Sequence, residues 1–205
     1  MDTAVTLKVF GSVWAGGRIF GGRLAEAGAD VAFLVRLRRG EQLAAKGLTV
    51  KSPFGDIERQ VPVLGKDETA HPFDFIILSC KAYDLDAAMD AIEPAVGPDT
   101  RILPLLNGLA HMDRLDARFG PDRVLGGLCH LAATLTGDGE IHHLNRLHRL
   151  TLGDRRGRTS RSASAISKLL EASPAEVVLS DDIAQDMWEK FVFLTSLAAT
   201  TCLMR

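Results

Sequence analysis

Lys8-Val9-Phe10-Gly11-Ser12-Val13-Trp14-Ala15-Gly16-Gly17 is the stretch from which the remainder of the chain takes its reading. An apolar run over residues 4–10 leads in. Residues 18–27 lead out as a helix, with Phe20, Leu24 and Ala27 on one face and a stop at Gly28. A buried strand, a glycine turn and a helix N-terminus bring free backbone N–H groups and the positive end of the helix dipole to one point, which suits a phosphate. In the dinucleotide fingerprint G-x-G-x-x-G, Gly11 and Gly16 take the first and third places and Val13 the second. A glycine turn at a strand end is also a common packing turn. Its position, after a first strand and before a helix and a second strand, favours a nucleotide site built from Gly11, Ser12, Val13, Trp14, Ala15 and Gly16.

Outward from this turn the pattern repeats. Residues 31–35 (V-A-F-L-V) are continuously apolar, as in a parallel strand covered on both faces, and end in Arg36-Leu37-Arg38-Arg39-Gly40. A short helix is predicted over 41–46 and a strand over 48–51. Pro53, Gly55 and Asp56 then turn the chain into a hairpin or meander over 57–63. Residues 74–79 and 100–105 read as further buried strands, with a helix over 85–92 between them and another from Asn107-Gly108 to Phe119-Gly120. Strand-to-helix steps of this kind predict an α/β fold with a Rossmann-like doubly wound parallel sheet. Beyond residue 124, segments 124–136, 139–143 and 149–152 are strand-like with short Gly/Asp turns, so the sheet is expected to finish in antiparallel strands. A helix over 162–172 and a strand over 176–179 come next.

Ser180-Asp181-Asp182 reads as an N-cap with acids in the first turn of a long helix that carries Trp188, Phe191, Leu194 and Leu197. The chain therefore divides into residues 1–179, a cofactor-binding domain, and 180–205, the start of an all-α domain. One helix cannot form a core, so further helices are expected beyond Arg205 or from another chain. The exposed apolar helix is expected to self-associate, and a homodimer fits.

A net charge of −2 over 205 residues excludes a nucleic-acid binder of the usual basic kind. Cys80, Cys129 and Cys202 are odd in number and far apart, which argues against disulfides and for a reducing, cytoplasmic setting. No signal peptide is legible, and the longest uncharged apolar run, residues 191–204, is too short to span a membrane.

Arg36 ends the second strand, where an Asp or Glu would take the ribose hydroxyls of NAD. A basic residue there suits the 2′-phosphate of NADP, although Arg36, Arg38 and Arg39 also read as a solvated loop. Lys81 and Asn107 each lie just past a central strand, on the edge where open α/β sheets bind ligands. Lys190, on the long helix, is a surface lysine unless turned toward a cleft, where it would serve as a general acid. His142, His143 and His148 fall on adjacent short strands, but lack the Cys or carboxylate neighbours a metal site needs.

Taken in order, Phe33-Leu34-Val35-Arg36, Leu78-Ser79-Cys80-Lys81-Ala82-Tyr83, Leu105-Leu106-Asn107-Gly108 and Trp188-Glu189-Lys190-Phe191 resemble the ketopantoate reductase (2-dehydropantoate 2-reductase) family along the whole chain. The resemblance implies NADPH-dependent reduction of a 2-keto acid to a 2-hydroxy acid, in pantothenate biosynthesis for true members. By it, Lys190 matches the proton donor and Asn107 a contact to both cofactor and substrate. Lys81 and Arg36 match cofactor contacts, and Ala133, in Leu131-Ala132-Ala133-Thr134, a backbone contact near the cofactor.

Three departures qualify it. Val13 stands where a glycine lets the backbone approach the pyrophosphate, at an expected cost of about 1–3 kcal/mol. Leu194 and Ala198 stand four and eight residues after Lys190, where family members usually carry Asn as substrate ligands, which leaves the substrate open between ketopantoate and a related 2-keto acid. The family's helical domain continues well beyond this length, so the chain alone is expected to be poorly active. A non-catalytic NADP-binding or interaction module is the competing reading. A dehydrogenase of the 3-hydroxyacid or glycerol-phosphate type fits the layout but not the W-E-K-F stretch.

Overall fold

The computed structural model describes residues 6–10, 15–65, 71–156, 161–171 and 173–204, with the backbone alone at 6–10 and 161–162. Along the chain run β1 (Thr6–Phe10), α1 (Ala15–Glu26), β2 (Asp30–Leu34), α2 (Leu37–Lys46), β3 (Leu48–Lys51), β4 (Ile57–Arg59) and β5 (Val63–Leu64). Next come β6 (Phe75–Leu78), α3 (Leu85–Ile92), β7 (Arg101–Pro104) and α4 (Ala110–Phe119), with 3-10 turns at Ala82–Asp84 and Glu93–Ala95 flanking α3. The C-terminal part holds β8 (Gly126–His130), β9 (Ala133–Leu135), β10 (Ile141–His143), β11 (Arg149–Gly153), α5 (Arg161–Leu170), β12 (Glu176–Leu179) and α6 (Ile183–Leu203).

The main sheet has the order β5-β2-β1-β6-β7, every pair parallel, with Val9 opposite Phe33 on one side and Ile77 on the other. Its strands alternate between two cores. Phe33, Phe75, Ile77 and Leu103 face α1, α2 and α5, whereas Leu34, Ile76, Leu78 and Ile102 face α3, α4 and α6. Cover on both faces explains why residues 31–34, 75–78 and 102–104 are apolar at every position.

The antiparallel strands expected after residue 124 are present, divided between two smaller sheets. β8 and β11 pair antiparallel with β12 parallel on the far side, and an isolated bridge between Ile102 and Val124 joins this group to the β7 edge. β9 and β10 leave the main sheet and join β3 and β4 in the order β4-β3-β10-β9.

This second sheet and α5 lie over α1, so α1 is buried all round from Ala15 to Leu24 and not along one stripe. Arg18 and Arg23 are carried into the interior with it. Arg23 finds Glu26 and the carbonyl of Gly55. Arg18 has no hydrogen-bond partner among the described residues, and burial beside Arg39 pulls its pKa down to about 9. The stop at Gly28 is as expected: φ is +88°, and the amides of Gly28 and Ala29 return to the carbonyls of Ala25 and Leu24.

α2 begins at Leu37 and not at residue 41, so Arg36 is its N-cap and Arg39 is buried on its inner face. Only Arg36 and Arg38 of that basic run remain exposed. Along α6, Asp182 caps the helix through the amide of Gln185 at 3.1 Å, as its sequence suggests. Its apolar spacing does not translate into burial: Ile183 and Met187 are buried, but Trp188 is 55% and Leu197 50% exposed. No described helix is long and apolar enough to cross a membrane.

Candidate functional site at the edge of the parallel sheet

β1 ends at Phe10 between β2 and β6, so the segments that leave those three strands meet at one edge. Gly11, Ser12, Val13 and Trp14 lie outside the described residues. The chain resumes at Ala15 and Gly16, both buried in the first turn of α1. The next residue sets how close α1 comes to the sheet: a Cβ at Gly17 would lie 2.0 Å from Ser79 Oγ and 2.5 Å from Ser79 Cβ. Helix and strand end are in contact there because Gly17 has no side chain.

Arg36, after β2, reaches across β1 and forms an ion pair with Asp84 in the 3-10 turn after β6. Lys81, exposed, is the N-cap of that same turn. The structure thus brings Arg36 together with the Lys81–Asp84 loop. Asp84 itself was missed from sequence, since nothing local signals a partner 48 residues from Arg36. Asn107 lies beyond β7 and is also exposed.

Lys190 arrives from the other direction. A Cβ at Gly126 would lie 2.7 Å from Ile183, so the glycine of β8 lets α6 lie down on that strand. Lys190 is thereby half-buried, and its Nζ donates a 2.8 Å hydrogen bond to the carbonyl of Cys129. Burial pushes its pKa below the ordinary lysine value. Lys190 and Asn107 line the same small cavity, whose other side chains, among them Leu106, Leu128, Phe191 and Leu194, are apolar. Ala133 does not line that cavity. It lies in β9, in the second sheet, opposite His143. Ala198 is exposed farther along α6.

A larger groove of about 580 Å³ opens beside this cavity, between α4 and α6, and shares Asn107, Met187 and Phe191 with it. Among its polar residues His111 is buried, with Nε2 unpartnered among the described residues and its pKa held down to about 4 by burial and by Arg155.

Of the three C-terminal histidines, His143 and His148 are packing groups, whereas His142 is part-exposed and pairs with Glu140 at 3.1 Å. His143 uses one ring nitrogen with Ser52 Oγ at 3.1 Å and the other with the Leu147 carbonyl at 2.8 Å. His148 packs tilted against Phe20 and Phe54 and edge-on to His143, and burial together with the nearby His143 and Arg23 holds its pKa down to about 4. Among the described residues no group of His, Cys, Asp and Glu is arranged to hold a metal.

The buried histidines set an acid limit. An unfolded chain protonates them first as pH falls, so stability is lost between their ordinary value of 6.5 and the folded value of about 4, by about 3 kcal/mol for each. His148→Phe, which keeps the ring packing, is expected to shrink the stability loss between about pH 7 and about pH 4.5 by about 2–3 kcal/mol in urea denaturation. An undiminished loss would remove His148 from this account.

Known proteins share this fold. The family model "Ketopantoate reductase PanE/ApbA" matches residues 14–157. The uncharacterized oxidoreductase YkpB of Bacillus subtilis (strain 168) is 38% identical over 197 residues, which cover 96% of this chain and 64% of that protein. The 2-dehydropantoate 2-reductase of Mesorhizobium japonicum is 26% identical over 205 residues, covering 90% of this chain and 62% of that one. Among solved structures, 2-dehydropantoate 2-reductase from Geobacter metallireducens GS-15 superposes with a TM-score of 0.83 at 30% identity, over 91% of this chain and 62% of that one. The chain thus spans less than two thirds of the length of these relatives. With the family match covering most of its length and the fold superposing on a solved member, the chain belongs to the ketopantoate reductase PanE/ApbA family.

Proposed function

We propose that this chain binds NADPH at the edge of its parallel sheet and takes part in reducing a 2-keto acid to the 2-hydroxy acid, with Lys190 as proton donor. The observation that supports this is that Lys190 from α6 and Asn107 from the loop after β7 border one small gap beside the larger groove. The residues present fit a dinucleotide. The C-terminal end of β1 lies between the loops of Arg36 and Lys81, and the close seat of α1 on Ser79 brings the helix N-terminus to that end. Bound there, the nicotinamide supplies the hydride.

Lys190 holds a proton at Nζ, fixed by the Cys129 carbonyl and ready for an oxygen that becomes an alkoxide. Burial makes that proton easier to give, because desolvation disfavours the ammonium form. Asn107, with an amide able both to donate and to accept, orients the reacting groups at the mouth of the cavity. Residues 1–179 would then hold the cofactor and residues 180–205 bring Lys190 to it. Leu194 in the cavity wall favours a second reading, a cofactor-binding module without turnover, since an apolar wall gives a polar substrate no partner.

Titration of NADPH fluorescence tests the cofactor half of the proposal, and absence of binding below the millimolar range would sink it. Val13→Gly is expected to tighten NADPH binding about ten- to a hundredfold by removing a side chain from the approach to the pyrophosphate. An unchanged Kd would mean that the glycine turn lies away from the phosphates.

A further inference from the structure

We propose that Asp84 is a specificity-determining residue, and that its carboxylate, by cancelling the charge of Arg36, admits NADH to this site alongside NADPH. The proposal rests on the dinucleotide reading above. Arg36 and Asp84 stand at the N-caps of α2 and α3, and neither side chain caps its own helix. They pair with each other across the end of β1.

The two partners are placed unequally: the side chain of Asp84 is 9% exposed and that of Arg36 is 58% exposed. The carboxylate is therefore fixed and poorly screened by water, while the guanidinium faces the solvent edge where an adenosine ribose would come. Both charges reach the nearby Cys80, whose thiol is pushed up to about 12 chiefly by burial, with Asp84 raising it and Arg36 lowering it.

A 2′-phosphate brings about −1.5 to −2 charges to the ribose. To use Arg36 it must share a guanidinium already neutralised by Asp84, and it must stand near a second, buried anion. A 2′-hydroxyl carries no charge and leaves the ion pair undisturbed. Lys81 and Arg38, both exposed at the same edge, keep some preference for the phosphate. The expected outcome is a narrow margin between the two cofactors in place of a strict choice.

NADPH and NADH would be titrated by fluorescence against the parent and Asp84→Asn, with thermal melts to establish that both are folded. In the parent, the two Kd values are expected within about tenfold of each other. In Asp84→Asn, NADPH is expected to bind about tenfold more tightly, the low end of what one charge 4–6 Å away does to an ion, with NADH unchanged within about twofold. Arg36→Ala gives an independent reading: it should weaken NADPH by less than about threefold in the parent, and by about tenfold or more beside Asp84→Asn. Weaker NADPH binding in Asp84→Asn would overturn the proposal and make Asp84 a residue that aims Arg36 at the phosphate. An unchanged ratio in the folded variant would overturn it as well. Loss of about a hundredfold on Arg36→Ala in the parent would show that the Arg36 charge is not cancelled. If neither cofactor binds either protein, the dinucleotide reading falls and this proposal with it.

Discussion

Lys190→Ala is expected to lower kcat by about 10²- to 10⁴-fold while leaving cofactor affinity within about twofold. The complete gene product would be assayed with NADPH and a panel of 2-keto acids, and cofactor binding measured separately. The split between the two readouts comes from position. Lys190 hydrogen-bonds to Cys129 and lines the cavity with Asn107, whereas Arg36 and Lys81 lie at the loops after β2 and β6. Removing the ammonium therefore takes away a proton without touching the adenosine end.

Lys190→Arg is expected to be nearly as impaired, since a guanidinium keeps the charge but does not release its proton. In the parent, reduction should fall as pH rises through the pKa of Lys190. Burial lowers that pKa, so the alkaline limb should lie below the ordinary lysine value of 10.5. Turnover by Lys190→Ala within tenfold of the parent would end the assignment.

Gly17→Ala is expected to destabilise the chain by about 1–3 kcal/mol, or about 3–10 °C in Tm for a chain of this size. The added Cβ would stand 2.5 Å from Ser79 Cβ. Turning the serine hydroxyl to another rotamer relieves its Oγ but not its Cβ, and Ser79 is completely buried, so α1 must lift from the end of β6. Lifting α1 moves the helix N-terminus that faces the proposed phosphate site, so cofactor affinity is expected to fall with stability. Gly137→Ala is the control, because a Cβ there meets nothing within 4 Å. Equal melting temperatures for the two variants would mean that α1 has slack against the sheet.

Much of this architecture was legible because burial on both faces leaves a plain mark. Residues 31–34, 75–78 and 102–104 are apolar at every position and lie in the main sheet between two layers of helices. Arg36, Lys81 and Asn107 could be set at one edge for the same reason, since each comes just after such a run. The start of α2 was obscured by Leu37-Arg38-Arg39-Gly40, a charged segment with a glycine. It is helical because Arg39 turns inward and Leu43 packs into the core. The all-round burial of α1 was obscured too. A single apolar face of Phe20, Leu24 and Ala27 gives no sign that the second sheet and α5 also cover Arg18 and Arg23.

Residue order alone was enough to place the strands and helices of the parallel sheet, the edge on which the candidate residues lie, and the family motifs that link them. It took the folded chain to reveal that β9 and β10 pair with β3 and β4, that Arg36 is held by Asp84, and that Lys190 bends back to the Cys129 carbonyl beside Asn107. The difference is one of range. Periodicity records which side of an element is buried, a local property of each stretch. The partner of a backbone amide, a guanidinium or an ammonium is fixed by segments tens of residues away, and no spacing along the chain encodes it.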